Sequence, residues 1–385
     1  MISKPHIYFD NASTTRVDEG VIRVMNSYHT ELYGNASSSH KFGMQINAAV
    51  EDAKSKVAQL INAKAKEVVF TSGATESINT VLKGIVNANH LKNRNKIITV
   101  STEHTAVLDT CHFLEEQGID VIYLPVQKNG LIDLEILKRN INEQTLIVCV
   151  MFVNNETGVI QPINDIAKIA HEAGAMMFTD ATQAVGKIDV NVVDLDIDFM
   201  AFSAHKYHGP KGIGGFFVKE KFIKILIPFI HGGSHQNGLR SGTLNVPGII
   251  GFGEASSIAI EQEENIKRIT SLRDLLEHEL LKVEGSFVNG DLSNRVYNIS
   301  NITFSDIDAD VVIRLLDNIC VSNGSACSSA LIEPSYVLKA MGLNDSEAFS
   351  SLRFSLSKYN TTEEVFYAAN KLKEIITQLT PKKYV

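Results

Sequence analysis

The sequence predicts an α/β protein: a doubly wound, mostly parallel sheet followed by a smaller α+β C-terminal domain. Three observations predict it. From about residue 66 to 220, short apolar runs alternate with amphipathic segments, as parallel strands joined by crossover helices require. The glycine-rich stretch "HGGSHQNGLRSGT" at 231–243 ends that alternation. Beyond it, a long helical segment of about 254–283 leads into a smaller mixed region. These features divide the chain into a large domain at 15–255 and a small one at 256–385, the N-terminal arm 1–14 joining the latter.

Each element has its own signal. "EVVFTSG" (67–73) reads as a strand, with a helix starting near Thr75. "KIITVST" (96–102) precedes the helical "AVLDTCHFLEEQG" (106–118), which Gly118 stops. "DVIYLPV" (120–126), "TLIVCVMFV" (145–153) and "MMFTDAT" (176–182) are further strands, and "INDIAKIAHEAG" (163–174) is the intervening helix. "DFMAFSA" (198–204) and "GGFFVK" (214–219) complete the set. No internal repeat or low-complexity tract interrupts it.

Composition narrows the class. With 385 residues, 44% hydrophobic and 21% charged, the chain can bury two or three domain cores. Its strongest apolar run, "LIVCVMFV" at 146–153, has the length of a strand and falls short of a membrane span. The opening "MISKPHIYFDNASTT" has no apolar core, so no secretory signal is expected. Four cysteines, 111, 149, 320 and 327, match no zinc spacing and suit a reducing cytoplasm. A formal charge of −8 argues against direct nucleic-acid binding, which needs clustered Lys and Arg.

Ligands of such sheets bind beyond the carboxyl ends of the strands. Four of these ends carry unusual polar groups. "SGATES" (72–77) opens a helix whose free N–H groups suit a phosphate. "TEHTA" (102–106) sets His104 at the sheet edge, and "TDATQAVG" (179–186) ends an apolar run on Asp180, a carboxylate that must find a cation or donors. "SAHKYHGPKG" (203–212) gathers Ser203, His205 and Lys206, where desolvation should lower the lysine's pKa. Singly, these read as a helix cap, a structural histidine, a paired acid and a surface lysine. Together they fit pyridoxal phosphate, which needs a lysine for covalent attachment, an acid for its ring nitrogen and a phosphate cup. No GxGxxG turn follows an early strand, and no GxxxxGK[ST] loop is present.

The stretch "VSNGSACSSA" (321–330) puts Cys327 among Ser, Gly, Ala and Asn, with little to pack against. It is either an incidental cysteine in a loop or a nucleophile on a movable arm.

The chain resembles cysteine desulfurases of the NifS/IscS family, within the class V, fold-type I pyridoxal-phosphate enzymes. The likeness runs nearly end to end, through "YFDNASTT", "SGATES", "EHTAVLDTC", "NNETGVIQPI", "TDATQAVGK", "SAHKYHGPKGIG", "RSGTLNVPGIIGFGEA", "SNGSACSS" and "SLRFSLSKYNTTEEV". It implies that Lys206 binds the cofactor covalently, His104 stacks on its ring and handles protons, and Asp180 holds the ring nitrogen protonated. Gln183 would bond the phenolic oxygen. Ala74, Thr75, Ser203 and His205 would hold the phosphate, and Thr243 the phosphate of the neighbouring subunit in a homodimer. Asn155 would lie against ring and substrate, and Arg353 would clamp the carboxylate of L-cysteine. Cys327 would take the sulfur as a persulfide, leaving L-alanine, and pass it to an acceptor protein. That acceptor would serve iron–sulfur cluster assembly, tRNA thiolation or DNA phosphorothioation. No resident metal is implied, Cys327 meeting an iron–sulfur cluster only transiently on a scaffold.

Two departures stand out: Ala36 where the family usually has proline, and Ser322–Asn323 where Ser-Ser is usual. The ending "TPKKYV" lacks the tail with which housekeeping members engage their scaffold, which points to a dedicated acceptor. Two other readings stay open. One is another class V enzyme, a selenocysteine lyase or an aminotransferase, although an aminotransferase has no use for Cys327. The other is an inactive scaffold of a sulfur-transfer complex, against which Lys206, Asp180, His104 and Cys327 all argue.

Overall fold

Strands that alternate apolar residues on both faces must be covered on both faces, and helices cover this sheet on either side. The computed structural model describes residues 6–88, 94–324 and 333–379. From the N-terminal arm with β1 (Ile7–Tyr8) the chain enters α1 (Glu19–Thr30) and α2 (Lys41–Leu60). Strand–helix alternation follows: β2 (Val68–Thr71), α3 (Ala74–Ala88), β3 (Lys96–Val100), α4 (Thr105–Glu116) and β4 (Asp120–Leu124). It continues through α5 (Leu134–Asn140), β5 (Thr145–Cys149), α6 (Ile163–Glu172), β6 (Met176–Asp180), β7 (Phe199–Ser203) and β8 (Gly214–Val218).

Among the described residues these strands make one seven-stranded sheet in the order β2-β8-β7-β6-β5-β3-β4. All neighbours are parallel except β8, which runs antiparallel to β7 and β2. The short connection from β7 to β8 carries no crossover helix, so the chain can only return antiparallel. Side chains divide between the two faces in strict alternation. Ile98, Val100, Val148, Met177, Met200 and Phe202 join one core. Their neighbours Ile97, Ile147, Cys149, Phe178, Phe199 and Ala201 join the other.

Two elements differ from the sequence-based expectation. The strand expected over 145–153 ends at Cys149. Val150 and Phe152 still donate to Phe178 and Asp180 of β6, and Val153 then bridges Ile160 across the turn that follows Asn154. The single helix expected over about 254–283 is two, α7 (Val246–Ile260) and α8 (Glu263–Leu280). Residues of α7 pack into the core of the large sheet, whereas Ile269, Leu272, Leu276 and Leu280 of α8 pack into a separate one. The polar "EQEE" at 261–264 spans the junction.

That separate core belongs to the remainder: β9 (Phe287–Val288), β10 (Ile299–Thr303), α9 (Ala309–Leu315), β11 (Ile319–Cys320), α10 (Tyr336–Ala340), α11 (Asp345–Phe349), β12 (Ser351–Ser355) and α12 (Thr362–Leu379). β10 lies between β12 and β9, antiparallel to both. The N-terminal arm joins it: β1 pairs in parallel with β11, and Ile7 and Phe9 are core residues of this part. Among the described residues no helix is long and apolar enough to cross a membrane.

Candidate active site

The carboxyl ends of β3, β5, β6 and β7 open onto one cleft of about 930 Å³. Ala74, Thr75, His104, Asn155, Asp180, Gln183, Ser203, His205, Lys206 and Arg353 all line it. Thr243 does not: it is exposed, and borders a separate hollow with Tyr33 and Asn35. Cys327 lies outside the described residues, but Ser322, Asn323, Gly324 and Tyr336 on either side of it line the cleft.

Lys206 ends the 3-10 turn Ala204–Lys206 directly after β7. Its Nζ donates to the carbonyls of Ala12 (2.8 Å) and Ser13 (2.7 Å) in the N-terminal arm. Burial, reinforced by the guanidinium of Arg353, lowers its pKa to about 8. Asp180 is the last residue of β6, 4% exposed, with Oδ1 accepting the Thr182 N–H at 2.9 Å. Gln183 follows in the same turn and donates from Nε2 to Ala12 O at 2.8 Å. One turn on, the buried Lys187 donates to Gln183 Oε1. Burial, with the charges of Lys206 and Arg353, pushes Lys187 well below the usual lysine range, and its hydrogen bond orients the Gln183 amide.

His104 caps α4, its Nδ1 accepting the Ala106 N–H at 3.1 Å. That bond leaves the ring proton to Nε2. The preceding residue, Glu103, is fully buried, and Oε1 accepts the Met151 N–H at 2.5 Å. Burial and the nearby charge of Asp180 push its carboxyl well above the usual range.

The far end of the cleft is a cup for an anion. The first N–H groups of α3 have no intrahelical carbonyl to bond and carry the positive end of the helix dipole. Ser203 Oγ lies beside Gly73 at the start of α3, and His205 and Lys211 line the same cleft. Burial and the neighbouring lysines 206 and 211 depress His205 to about 4, so it is neutral and joins Thr14 Oγ1 at 3.1 Å. Two glycines let the backbones approach: a Cβ on Gly214 would fall 2.7 Å from Gly73 Cα.

Arg353 reaches in from β12. Nη2 donates to Asp10 Oδ1 and Ser13 Oγ, both at 2.7 Å, and Nη1 to Asn155 O at 3.0 Å. Among the described residues, Arg353 Nε and Asn155 Oδ1 are buried without a hydrogen-bond partner. Sequence reasoning missed Asp10, Ser13, Glu103, Glu156 and Lys187 as site residues. The runs "YFDNASTT", "EHTA", "NNETG" and "AVGK" were legible, but only the folded chain shows which of their members face inward.

The cleft fits pyridoxal phosphate: a neutral-capable lysine, a buried carboxylate, an imidazole at the sheet edge and an anion cup share one wall. Fold and site together define the class of fold-type I pyridoxal-phosphate enzymes. The chain belongs to the class-V aminotransferase family, whose model matches residues 7–367. It is 46% identical over 378 residues to a cysteine desulfurase IscS of Ehrlichia chaffeensis, covering 97% of this chain and 92% of that one. A solved NifS-like protein superposes with a TM-score of 0.91 at 38% identity, over 97% of this chain and all of the other. A structure of SspA in complex with cysteine superposes at 0.82 with 35% identity, over 92% and 100% of the two chains.

Proposed function

We propose that the protein is a cysteine desulfurase. It converts L-cysteine to L-alanine and carries the sulfur as a persulfide on Cys327 to an acceptor protein in the cytoplasm, working as a homodimer in which Thr243 completes the partner's phosphate cup. One observation carries the reading. The residues that flank the Cys327 segment, Gly324 and Tyr336, line the same cleft as Lys206, Asp180 and His104. An aminotransferase has no need of a thiol there. The relatives named cysteine desulfurase, and the SspA structure holding cysteine, support the same substrate.

Each group has a task its surroundings suit. Ala74, Thr75, Ser203 and His205 hold the phosphate, Lys206 the aldehyde carbon, and Gln183 the phenolic oxygen. Pyridoxal phosphate, when bound, draws electrons away from the substrate carbon attached to it. Asp180 keeps a proton on the ring nitrogen. Lys206, with a pKa near 8, takes and returns protons at the substrate carbon at little cost near neutral pH. His104 stacks on the ring and offers Nε2–H for proton exchange. Arg353 trades one of its present partners for the substrate carboxylate, and Asn155 borders it.

Sulfur transfer then balances without an outside oxidant. The Cys327 thiolate attacks the substrate sulfur, the carbon–sulfur bond breaks and its electron pair stays on carbon, which a proton completes to alanine. Sulfur is oxidised to the persulfide as carbon is reduced. The remaining cysteines are poor rivals: burial raises Cys111 to about 12 and Cys149 well above the thiol range, and Cys320 is raised too. The test is a single turnover of the holoenzyme with L-cysteine. Alanine should appear together with a persulfide on Cys327, and Cys327→Ala should keep the cofactor yet yield neither. Alanine at the parent rate from that variant, without added thiol, would defeat the reading.

A further inference from the structure

Glu156 is a buried carboxyl that none of these tasks uses. The turn after β5 explains its position: Asn154 Oδ1 accepts the N–H groups of Glu156 (2.9 Å) and Thr157 (3.0 Å). The side chain of Glu156 is 1% exposed and lines the cleft next to Asn155. Its Oε2 accepts from Ser335 Oγ at 2.5 Å. Ser335 in turn accepts the Leu338 N–H at 3.1 Å and so caps α10. Gly324 packs against the same oxygen: its φ is +82°, and a Cβ there would fall 2.6 Å from Oε2. Residues 324 and 335, on either side of 325–332, therefore converge on one carboxyl oxygen.

We propose that Glu156 is a positioning residue for sulfur transfer, hydrogen-bonding one flank of the segment that carries Cys327 through Ser335 and packing against the other at Gly324, beside Asn155. This rests on the reading of Cys327 as the sulfur nucleophile. A segment of this length reaches about 27 Å when extended, so its thiol is concentrated at the substrate only if its roots are held. Glu156 bonds the Ser335 root and packs against the Gly324 root at the wall lined by Asn155. Two ionisable groups face it, Arg353 from β12 and Tyr336 from α10. Burial pushes the carboxyl up to about 7, against the opposing pull of Ser335 and Arg353, so near neutrality it is shared between charged and neutral forms. Either form keeps a partner for the Ser335 hydroxyl.

The test uses the holoenzyme in single turnovers with L-cysteine. The visible absorbance change reports substrate binding, and quenched intact-protein mass reports the persulfide on Cys327. Glu156→Ala and Ser335→Ala should each slow persulfide formation about tenfold, the effect of one lost charge-assisted hydrogen bond. The cysteine concentration that half-saturates the absorbance change should not move. The double variant should be no slower than the slower single, because both changes break one tie. Glu156→Gln, which still accepts the Ser335 hydroxyl, should recover the rate to within about threefold of the parent. Parent rates in both single variants, multiplicative losses in the double, or a shifted half-saturation would each overturn the proposal. If Glu156→Ala does not fold, Ser335→Ala and Glu156→Gln decide it. A parent alanine rate from Cys327→Ala would instead overturn the nucleophile reading itself.

Discussion

Lys206 owes its chemistry to where β7 leaves it: two backbone carbonyls from the N-terminal arm hold its amine while burial and Arg353 disfavour the charge. Only the neutral amine attacks an aldehyde. Capture of pyridoxal phosphate by the cofactor-free protein should therefore quicken as pH rises through about 8 and then level off, as followed by visible absorbance. Lys206→Ala should show no such band at any pH; an unchanged spectrum would remove Lys206 from this role. Asp180→Asn should still bind the cofactor, since the phosphate cup is intact. Loss of the substrate α-proton, read by deuterium wash-in, should nevertheless slow by roughly a hundredfold or more. A parent wash-in rate would leave the carboxylate only structural. Lys206, Asp180 and His104 were legible because each stands at or just past the end of an apolar strand. Glu103 and Glu156 were not, since an acid beside a histidine or an asparagine in a turn reads as solvated until its burial is known.

Elements carry the site through their ends. β8 passes beneath the start of α3 so closely that Gly214 has no room for a side chain beside Gly73. Gly214→Ala should displace the cup and weaken cofactor binding by about tenfold, measured by titrating the cofactor-free protein. An unchanged dissociation constant would show that the backbone yields. At the other end of the sheet, His171 of α6 joins Asp198 (2.7 Å) and Asp196 (2.8 Å), and Asp198 also accepts the Met177 N–H of β6. The Asp198 hydrogen bond raises the histidine's pKa despite partial burial. Burial pushes Asp198 up, but His171 and the Met177 N–H outweigh it and lower the carboxyl. The raised histidine contributes stability fully present below its unfolded value of about 6.5, lost as pH rises through the folded one. The lowered aspartate contributes above about 3.9 and loses it as pH falls. His171→Ala should thus cost most between about pH 4 and 6.5, on the order of 1 kcal/mol, and little at pH 9. A loss in Tm that does not vary with pH would contradict this. None of this clamp was legible, because His171 and Asp198 are 27 residues apart and meet only where α6 packs on β6 beside the start of β7.

At the scale of the whole molecule, the site exists because two cores meet across a cleft. Arg353 grows from β12, in the smaller core, yet its guanidinium ends on Asp10, Ser13 and the Asn155 carbonyl. Lysine lacks the planar fork to hold these and a carboxylate together. Arg353→Lys should raise KM for L-cysteine by about tenfold or more with a smaller effect on kcat. An unchanged KM would move the carboxylate site elsewhere. Periodicity by itself determined the sheet and its covering helices, since alternating apolar residues can be buried only between two layers. Residue order likewise placed Asp180, Ser203 and Lys206 at or just past the ends of β6 and β7. Tertiary structure alone decided the break between α7 and α8 and the pairing of the N-terminal arm with β11. It alone also gathered Asp10, Glu103, Glu156 and Lys187 around the cleft. Those outcomes depend on burial and on contacts between residues far apart in the chain, and local pattern carries no information about either.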